Sequence, residues 1–345
     1  MFHVPFDLSP ISCKIALILI YVNTMNRIKK IIQNNYGTVL QGIVMGTAEI
    51  IPGVSGSTLA LIMGIYDKFI DLLHSISDLV KEFIKLLIGK STKKEFGQLI
   101  RTVDFRFGFS LIFGMGLAIV VLSKVLGFLF EEYPQYLLAF FFGLILASVY
   151  FPWKRMEKRG FREVAIIMIS FLALFIILGL KPISNDNPNP LFVFIGGIVG
   201  ISGMVLPGIS GSFILLLIGL YNYIISAIEN IASFNFNGKE ILNLIIFSTG
   251  LATGFITFVR VLKILLTKFN SQLMAFLIGL MLASLRVLWP FLDTDSAEKV
   301  EEMRTISPFD LDAGGLILII LSLLFGLILV IGITFIQNKK ALRRE

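Results

Sequence analysis

Two short stretches concentrate the polar chemistry of a very apolar chain. Glu49, Pro52, Gly53, Ser55, Gly56, Ser57 and Thr58 lie in EIIPGVSGST, residues 49–58, and Pro207, Gly208, Ser210, Gly211 and Ser212 lie in MVLPGISGSF, residues 204–213. Proline stops a helix from running through. Glycine lets the chain turn tightly and lets a ligand approach the backbone. A helix that restarts at Ser-Gly-Ser presents unpaired N–H groups and the positive end of its dipole to the turn. With the hydroxyls of Ser55, Ser57, Thr58, Ser210 and Ser212 as further donors, the chemistry these residues suit is anion binding. Glu49 stands where the second stretch has Met204. A carboxylate there can carry a proton, hold another coupling ion, or pair with a base; a structural cap is the plainer role.

Three bases inside apolar sequence extend the candidate set. Lys124 is the one charge in residues 107–130, Arg260 aligns with it in the second half, and Arg286 lies three residues before Trp289. Intramembrane bases are candidates for a functional role; snorkelling of the charged end to headgroups is the alternative. Nothing suggests catalysis. The histidines are His3 and His74, the single cysteine is Cys13, and no carboxylate cluster suggests a metal. An intramembrane lipid phosphatase would need a nucleophile and its base in reach, and no such pairing stands in the apolar segments. No cofactor, metal or catalytic residue is expected.

The elements that must position these residues follow from composition. Of 345 residues, 56% are hydrophobic and 15% charged, more apolar surface than a soluble fold can bury. The net charge of +7 comes from bases scattered among the loops between apolar segments, a pattern of membrane topology rather than nucleic-acid binding. About 20 apolar residues cross a bilayer. Segments 107–130, 135–152, 164–180, 241–265, 272–289 and 313–336 are the expected spans. Loop 74–106, with seven bases against four acids, and the basic loop 153–162 read as cytoplasmic, whereas loop 290–312, with seven acids against two bases, reads as external. These assignments alternate only if 38–73 enters and leaves on the inner face and 192–230 on the outer face. Each is then a re-entrant helical hairpin, with PGVSGS or PGISGS as its tip.

The halves align. GIV at 42–44 matches GIV at 197–199, Gly64 and Tyr66 match Gly219 and Tyr221, and AFFFGLILAS at 139–148 matches AFLIGLMLAS at 275–284. The second half is 19 residues shorter in the loop after its hairpin. One copy starts inside and the other outside, the mark of inverted-topology repeats, with a site near the midplane at their interface. The expected fold is an all-α polytopic integral membrane protein with six spanning helices and two re-entrant hairpins. Its layout is an N-terminal extension at 1–24 outside the fold and a single transporter domain at 25–345. That domain holds repeat 1 at 37–153, a linking helix at 163–180, repeat 2 at 191–289 and a C-terminal helix at 313–336.

GTAEIIPGVSGSTLALIMGIY at 46–66 and LPGISGSFILLLIGLY at 206–221 resemble the paired motifs of the polyprenyl-phosphate transporter family of bacteria and archaea. The resemblance covers roughly residues 37–290. It implies return of undecaprenyl phosphate, or a related polyprenyl-phosphate lipid, from the outer to the inner leaflet of the cytoplasmic membrane for reuse in cell-wall synthesis. Where the family's first motif usually carries aspartate this chain has Glu49, and Ser57 replaces the second glycine of its usual SGGT. The partners implied are that lipid, the surrounding membrane lipids, and a proton or another coupling ion; nucleic acid is not among them. A small-anion or ion-coupled transporter or channel is the alternative reading. The charge pattern also makes a topological prediction. In a Cys13-free background, single cysteines at Lys90 and Lys158 should be shielded from an impermeant external thiol reagent, and cysteines at Asp186 and Glu301 labelled. External labelling at position 90 would turn 38–73 into a full crossing.

Overall fold

The structure, a computed structural model, describes residues 35–50, 54–180, 187–234, 237–293 and 303–342, with side chains to 335. Residues 1–24, Pro52 and Gly53, for which the sequence sets expectations, lie outside these, as do Asp186 and Glu301. The described chain is almost wholly α-helical. The first half runs α1 (Tyr36–Glu49), α2 (Gly56–Ile62), α3 (Tyr66–Leu87), α4 (Lys93–Ile100), α5 (Phe105–Glu132), α6 (Pro134–Ser148), α7 (Tyr150–Arg155) and α8 (Phe161–Ile177). The second runs α9 (Pro190–Val205), α10 (Gly211–Leu217), α11 (Tyr221–Ala232), α12 (Gly238–Lys268) and α13 (Asn270–Ser284). A two-stranded ribbon, β1 (Leu292–Asp293) with β2 (Arg304–Thr305), precedes the C-terminal helix α14 (Ala313–Leu342).

Local chemistry sets the ends of these helices. Asp104 accepts from the Phe107 amide at 3.0 Å to open α5, and Asn189 accepts from the Leu191 amide at 2.9 Å to open α9, where Pro190 needs no donor. Asn237 does the same for α12 through the Lys239 amide at 3.1 Å. The short helices α2 and α10 stop at Gly64 (φ 71°) and Gly219 (φ 77°), a left-handed conformation that glycine adopts without strain. The chain bends by 107° between α10 and α11.

The halves are built on the same close crossings. A Cβ at Gly42 of α1 would stand 2.2 Å from the Leu111 carbonyl of α5, and one at Gly114 would stand 2.2 Å from the Val39 carbonyl. In the second half Gly197 meets the Phe247 carbonyl at 2.5 Å and Gly250 the Phe194 carbonyl at 2.2 Å. One turn on, the small residue changes sides: Gly46 faces Met115 and Ala118, whereas at the equivalent level Ile201 faces Gly254. Backbone-to-backbone approach through small residues is how helices gain contact when lipid removes the hydrophobic incentive to associate.

The remaining long contacts cross between halves. Helix α14 packs along α6, where a Cβ at Gly143 would lie 2.1 Å from the Leu323 carbonyl and one at Gly326 would lie 2.0 Å from the Phe140 carbonyl. Helix α8 packs along α13, where a Cβ at Gly279 would lie 1.9 Å from Ser170 Oγ. The linking helix thus serves the second half and the C-terminal helix the first, through the matched glycines 143 and 279.

By length and composition four described helices are long and apolar enough to span: Phe105–Glu132, Pro134–Arg155, Gly238–Lys268 and Ala313–Phe335. They contain the expected spans 107–130, 135–152 and 241–265, and all but the last residue of 313–336. The other two expected spans correspond to α8, with 17 residues, and α13, with 15. Helix α13 is short because it is the centre of the core rather than a lipid-facing element. Leu273, Met274, Ala275, Leu277, Ile278, Leu280, Met281 and Ala283 are all buried in one cluster with Met45, Val54, Tyr66, Leu138 and Leu262. Helix α14, by contrast, turns Ile317, Leu321, Phe325 and Ile328 outward, as a lipid-facing helix should.

The inter-half crossings yield a stability prediction. Gly143→Val or Gly279→Val should lower thermal stability in detergent markedly, because backbone or a packed hydroxyl occupies the space; overpacking costs roughly 1–3 kcal/mol or more. Gly116→Ala on α5, where a Cβ meets nothing within 4 Å, should be neutral or slightly stabilising. Equal melting temperatures for Gly279→Val and the parent would refute the crossing.

Candidate functional site

The tips of the two broken helices meet. Helix α1 stops at Glu49 and α2 restarts at Gly56; α9 stops at Val205 and α10 restarts at Gly211. The Gly208 amide donates to Thr58 Oγ1 at 2.9 Å, Ser55 Oγ donates to the Leu206 carbonyl at 3.4 Å, and the Tyr66 hydroxyl donates to the Val205 carbonyl at 3.3 Å. Backbone freed by the second break is therefore satisfied by side chains of the first. Within each tip the serines pair alike: Ser55 Oγ lies 2.6 Å from Ser57 Oγ, and Ser210 Oγ lies 2.7 Å from Ser212 Oγ. Gly208 has φ 88°, and a Cβ there would stand 2.9 Å from the Met281 amide nitrogen, so the second tip is seated on the C-terminal end of α13.

Glu49 reaches back across the first break. Its Oε1 accepts from the Gly56 amide at 2.8 Å, at the start of α2. The start of α2 is thus already bound to a carboxylate oxygen. In the second half the Met204 side chain crowds the same place, its Cγ 2.5 Å from where a Gly211 Cβ would be. Alike in sequence, the tips differ in exposure. Ser55, Ser57 and Thr58 are buried, and so is every residue of α2. In the second tip Ser210 is buried, Ser212 is exposed, and Gly211 is the one buried residue of α10. Tyr66 is fully buried, while its counterpart Tyr221 is 36% exposed.

The bases are not at the tips. Arg260 on α12 is ion-paired with Asp78 of α3, which also lies 3.4 Å from His74 Nδ1. One turn along, Lys263 is paired with Asp71. Lys124 is exposed on α5 and has no hydrogen-bond or ionic partner among the described residues. Arg286 donates to the Phe175 carbonyl at 3.0 Å and stacks over the Phe175 ring at 4.4 Å, at the end of α8. Among the described residues, then, the structure brings together Ser55, Gly56, Ser57, Thr58, Gly208, Ser210, Gly211, Ser212 and Glu49, and leaves Lys124, Arg260 and Arg286 apart from them. Pro207 is buried beside Gly208. Sequence reasoning missed Tyr66 as a link between tips, although its match with Tyr221 was visible. It also missed the acids on α3 that hold Arg260 and Lys263. No group of three or more His, Cys, Asp or Glu that could hold a metal stands among the described residues.

An all-α membrane protein whose two broken helices meet tip to tip has a build found in membrane transporters. Comparison with known proteins narrows the class. A family model described as undecaprenyl phosphate translocase-like matches residues 45–306, and the chain belongs to that family. It is 34% identical over 286 residues to a polyprenyl-phosphate transporter of Vibrio cholerae, covering 81% of this chain and 88% of the relative. It is 32% identical over 268 residues to a polyprenyl-phosphate transporter of Staphylococcus aureus, covering 74% and 87%. No solved structure matches.

The tip contacts can be tested by stability. Thr58→Val keeps shape but strips the buried Gly208 amide of its acceptor, and Tyr66→Phe does the same to the Val205 carbonyl as an acceptor of the phenol. Each should cost about 1–3 kcal/mol, read as earlier unfolding in detergent. Tyr221→Phe should cost much less. Equal losses for Tyr66→Phe and Tyr221→Phe would show that the Tyr66 hydrogen bond carries nothing.

Proposed function

We propose that this protein moves undecaprenyl phosphate, or a closely related polyprenyl-phosphate lipid, from the outer to the inner leaflet of the cytoplasmic membrane, holding the phosphate at the paired tips. The observation that carries the reading is the meeting of two matched broken-helix tips, through Thr58 with Gly208 and Ser55 with Leu206, each tip with its serine hydroxyls in the same pairing. A lipid monophosphate needs anion donors at depth for its head, because burying unpaired charge in hydrocarbon is prohibitive. It also needs a side opening through which the tail stays in lipid. The polar tips on apolar half-helices supply the first, and α10, less covered than the fully buried α2, suits the second. The Glu49–Gly56 contact supports the choice of an anion, since the amide at the α2 start already takes a carboxylate oxygen.

The arrangement proposed for transport is two inverted repeats with six spanning helices and two re-entrant hairpins, the start of the main body and the C-terminus both cytoplasmic. Here α1–α2 is the hairpin entering from the inner face and α9–α10 the one entering from the outer face. The short helices α8 and α13 count as crossings because each is paired with a neighbour along its length. Arg260 and Lys124 occupy matched depths, and each meets the phosphate on one side of the cycle. Glu49 is the proposed carrier of a proton or another coupling ion.

The deciding experiment measures undecaprenyl phosphate in each leaflet of vesicles with and without the protein. The outer pool should fall only when the protein is present, with no phosphate released. Ser55→Ala with Ser210→Ala should weaken lipid-phosphate binding, each lost bond to the charged head being worth roughly 1.5–3 kcal/mol. Ion flux without lipid, phosphate release, or unchanged affinity in the double variant would each overturn the reading in its own way.

A further inference from the structure

The two halves share their main parts, although α11 has 12 residues where α3 has 22 and α4 has no counterpart, and they are not closed alike. Helix α12 carries an interfacial helix at both ends. Near its start, Asn243 donates to the Tyr223 hydroxyl of α11 at 2.7 Å, and Phe247 shares an apolar cluster with Ile224. Near its end, Arg260 and Lys263 hold Asp78 and Asp71 of α3. Helix α5, its counterpart, carries only the first of these. Near its start, Asp104 binds Lys68 of α3 at 3.2 Å, and Leu72 Cδ2 lies 3.0 Å from a Cβ position at Gly108. Toward its end, no packing of α11 equivalent to that of α3 on α12 exists among the described residues. The face that would receive α11 is bare: Val120 is 77% exposed, Lys124 is exposed, and a Cβ at Gly127 meets nothing within 4 Å.

The exposure of the hairpins follows the same division. Helix α2 is buried throughout and Tyr66 is tied to Val205, while α10 is half-buried with Ser212 exposed and Tyr221 is partly exposed. We propose that this asymmetry is one state of a two-state device: the protein is closed at the α3 end and open at the α11 end, and the Asp71–Lys263 and Asp78–Arg260 ion pairs are the latch that keeps it so. The occupant of the bare α5 face in the other state is α11 itself. Aligning the halves puts Ser226 against Gly127 and Ser233 against Lys124 in that state, as Asp71 now meets Lys263 and Asp78 meets Arg260.

The charge pattern gives the device a direction. Asn222 and Ser226 of α11, and Ser233 just past its end, stand where α3 has Asp67, Asp71 and Asp78, and Gly127 stands where α12 has Lys263. A third pair, Asp67 with Arg155 at 2.7 Å, ties α3 to α7. The alternative closure has no equivalent of these ion pairs, so the latch biases the molecule toward the state open at the α11 end. A ligand shifts such an equilibrium only by preferring one state, so the latch also sets how much preference the cargo must supply. With the topology of the proposed function, the open end faces the outer leaflet; the opening itself does not depend on that assignment.

The test uses the full chain with Cys13→Ala, in vesicles containing no polyprenyl phosphate, so the outcome is independent of what the protein transports. A lysine arm spans more than a disulfide can, so a short bifunctional thiol reagent is used. Asp71→Cys with Lys263→Cys gives up one ion pair and reports the present closure as held by the remaining Asp78–Arg260 pair, and Ser226→Cys with Gly127→Cys reports the alternative one with both ion pairs intact. The first pair should link quickly and the second several-fold more slowly. Asp78→Ser, which copies the residue the second half carries, should speed linking of the second pair several-fold; Asp78→Glu, which keeps the charge, should not. Linking of the second pair as fast as the first, or at a rate indifferent to Asp78→Ser, would overturn the proposal. Should Asp78→Ser fail to fold, Arg260→Gln breaks the same pair from the other side, with the same outcomes expected and refuting.

Discussion

A peptide group without a partner cannot be left in hydrocarbon, and this fold is organised around two places where helices break. Each unsatisfied group would cost several kcal/mol. Seen from the second break, the solution is to borrow: the Gly208 amide takes Thr58 Oγ1, and the Val205 and Leu206 carbonyls take the hydroxyls of Tyr66 and Ser55. These partners lie roughly 140 to 150 positions away in sequence. The two halves are therefore held together by the very groups that a spanning helix would have paired internally. The seat under the second tip, at Leu280 and Met281, explains why α13 must be central and short.

The same constraint separates binding chemistry from scaffold chemistry at the tips. Thr58 is spent on the other hairpin, and Glu49 is spent on Gly56. The serine pairs 55–57 and 210–212 are bonded to each other, an arrangement in which a hydroxyl can turn to a new acceptor without a change of backbone. Matched motifs thus differ in what they do for the fold: the buried first tip holds the second, and the second leaves the Ser212 hydroxyl exposed.

Much of this was legible in the sequence. Proline and glycine inside apolar runs located both breaks, and the matched blocks fixed the register between halves closely enough that Gly42 with Gly197 and Gly143 with Gly279 fall at equivalent crossings. Three things were not legible. Acids on α3 looked like ordinary polar positions of a loop-side helix, because partnership between Asp78 and Arg260 depends on tertiary placement across 182 residues. Arg286 has a carbonyl and a ring as partners, neither of which carries a sequence signal. The difference in burial between α2 and α10 could not be read at all, since near-identical motifs differ there only in what has closed over them.

The exchanged packing of α8 and α14 has a consequence for how the chain is made. Helices enter the membrane in the order of synthesis, yet α8 emerges before its partner α13, and α6 emerges long before α14. During translation the glycine-lined faces around Gly143 and Ser170 must wait in lipid with no protein against them. The first half therefore cannot mature as a unit until α14 has been made, well after both halves have entered the membrane. Helix α14 completes the first half from across the whole second half, so the membrane itself, or an insertion factor within it, shelters an uncovered face of α6 until α14 arrives.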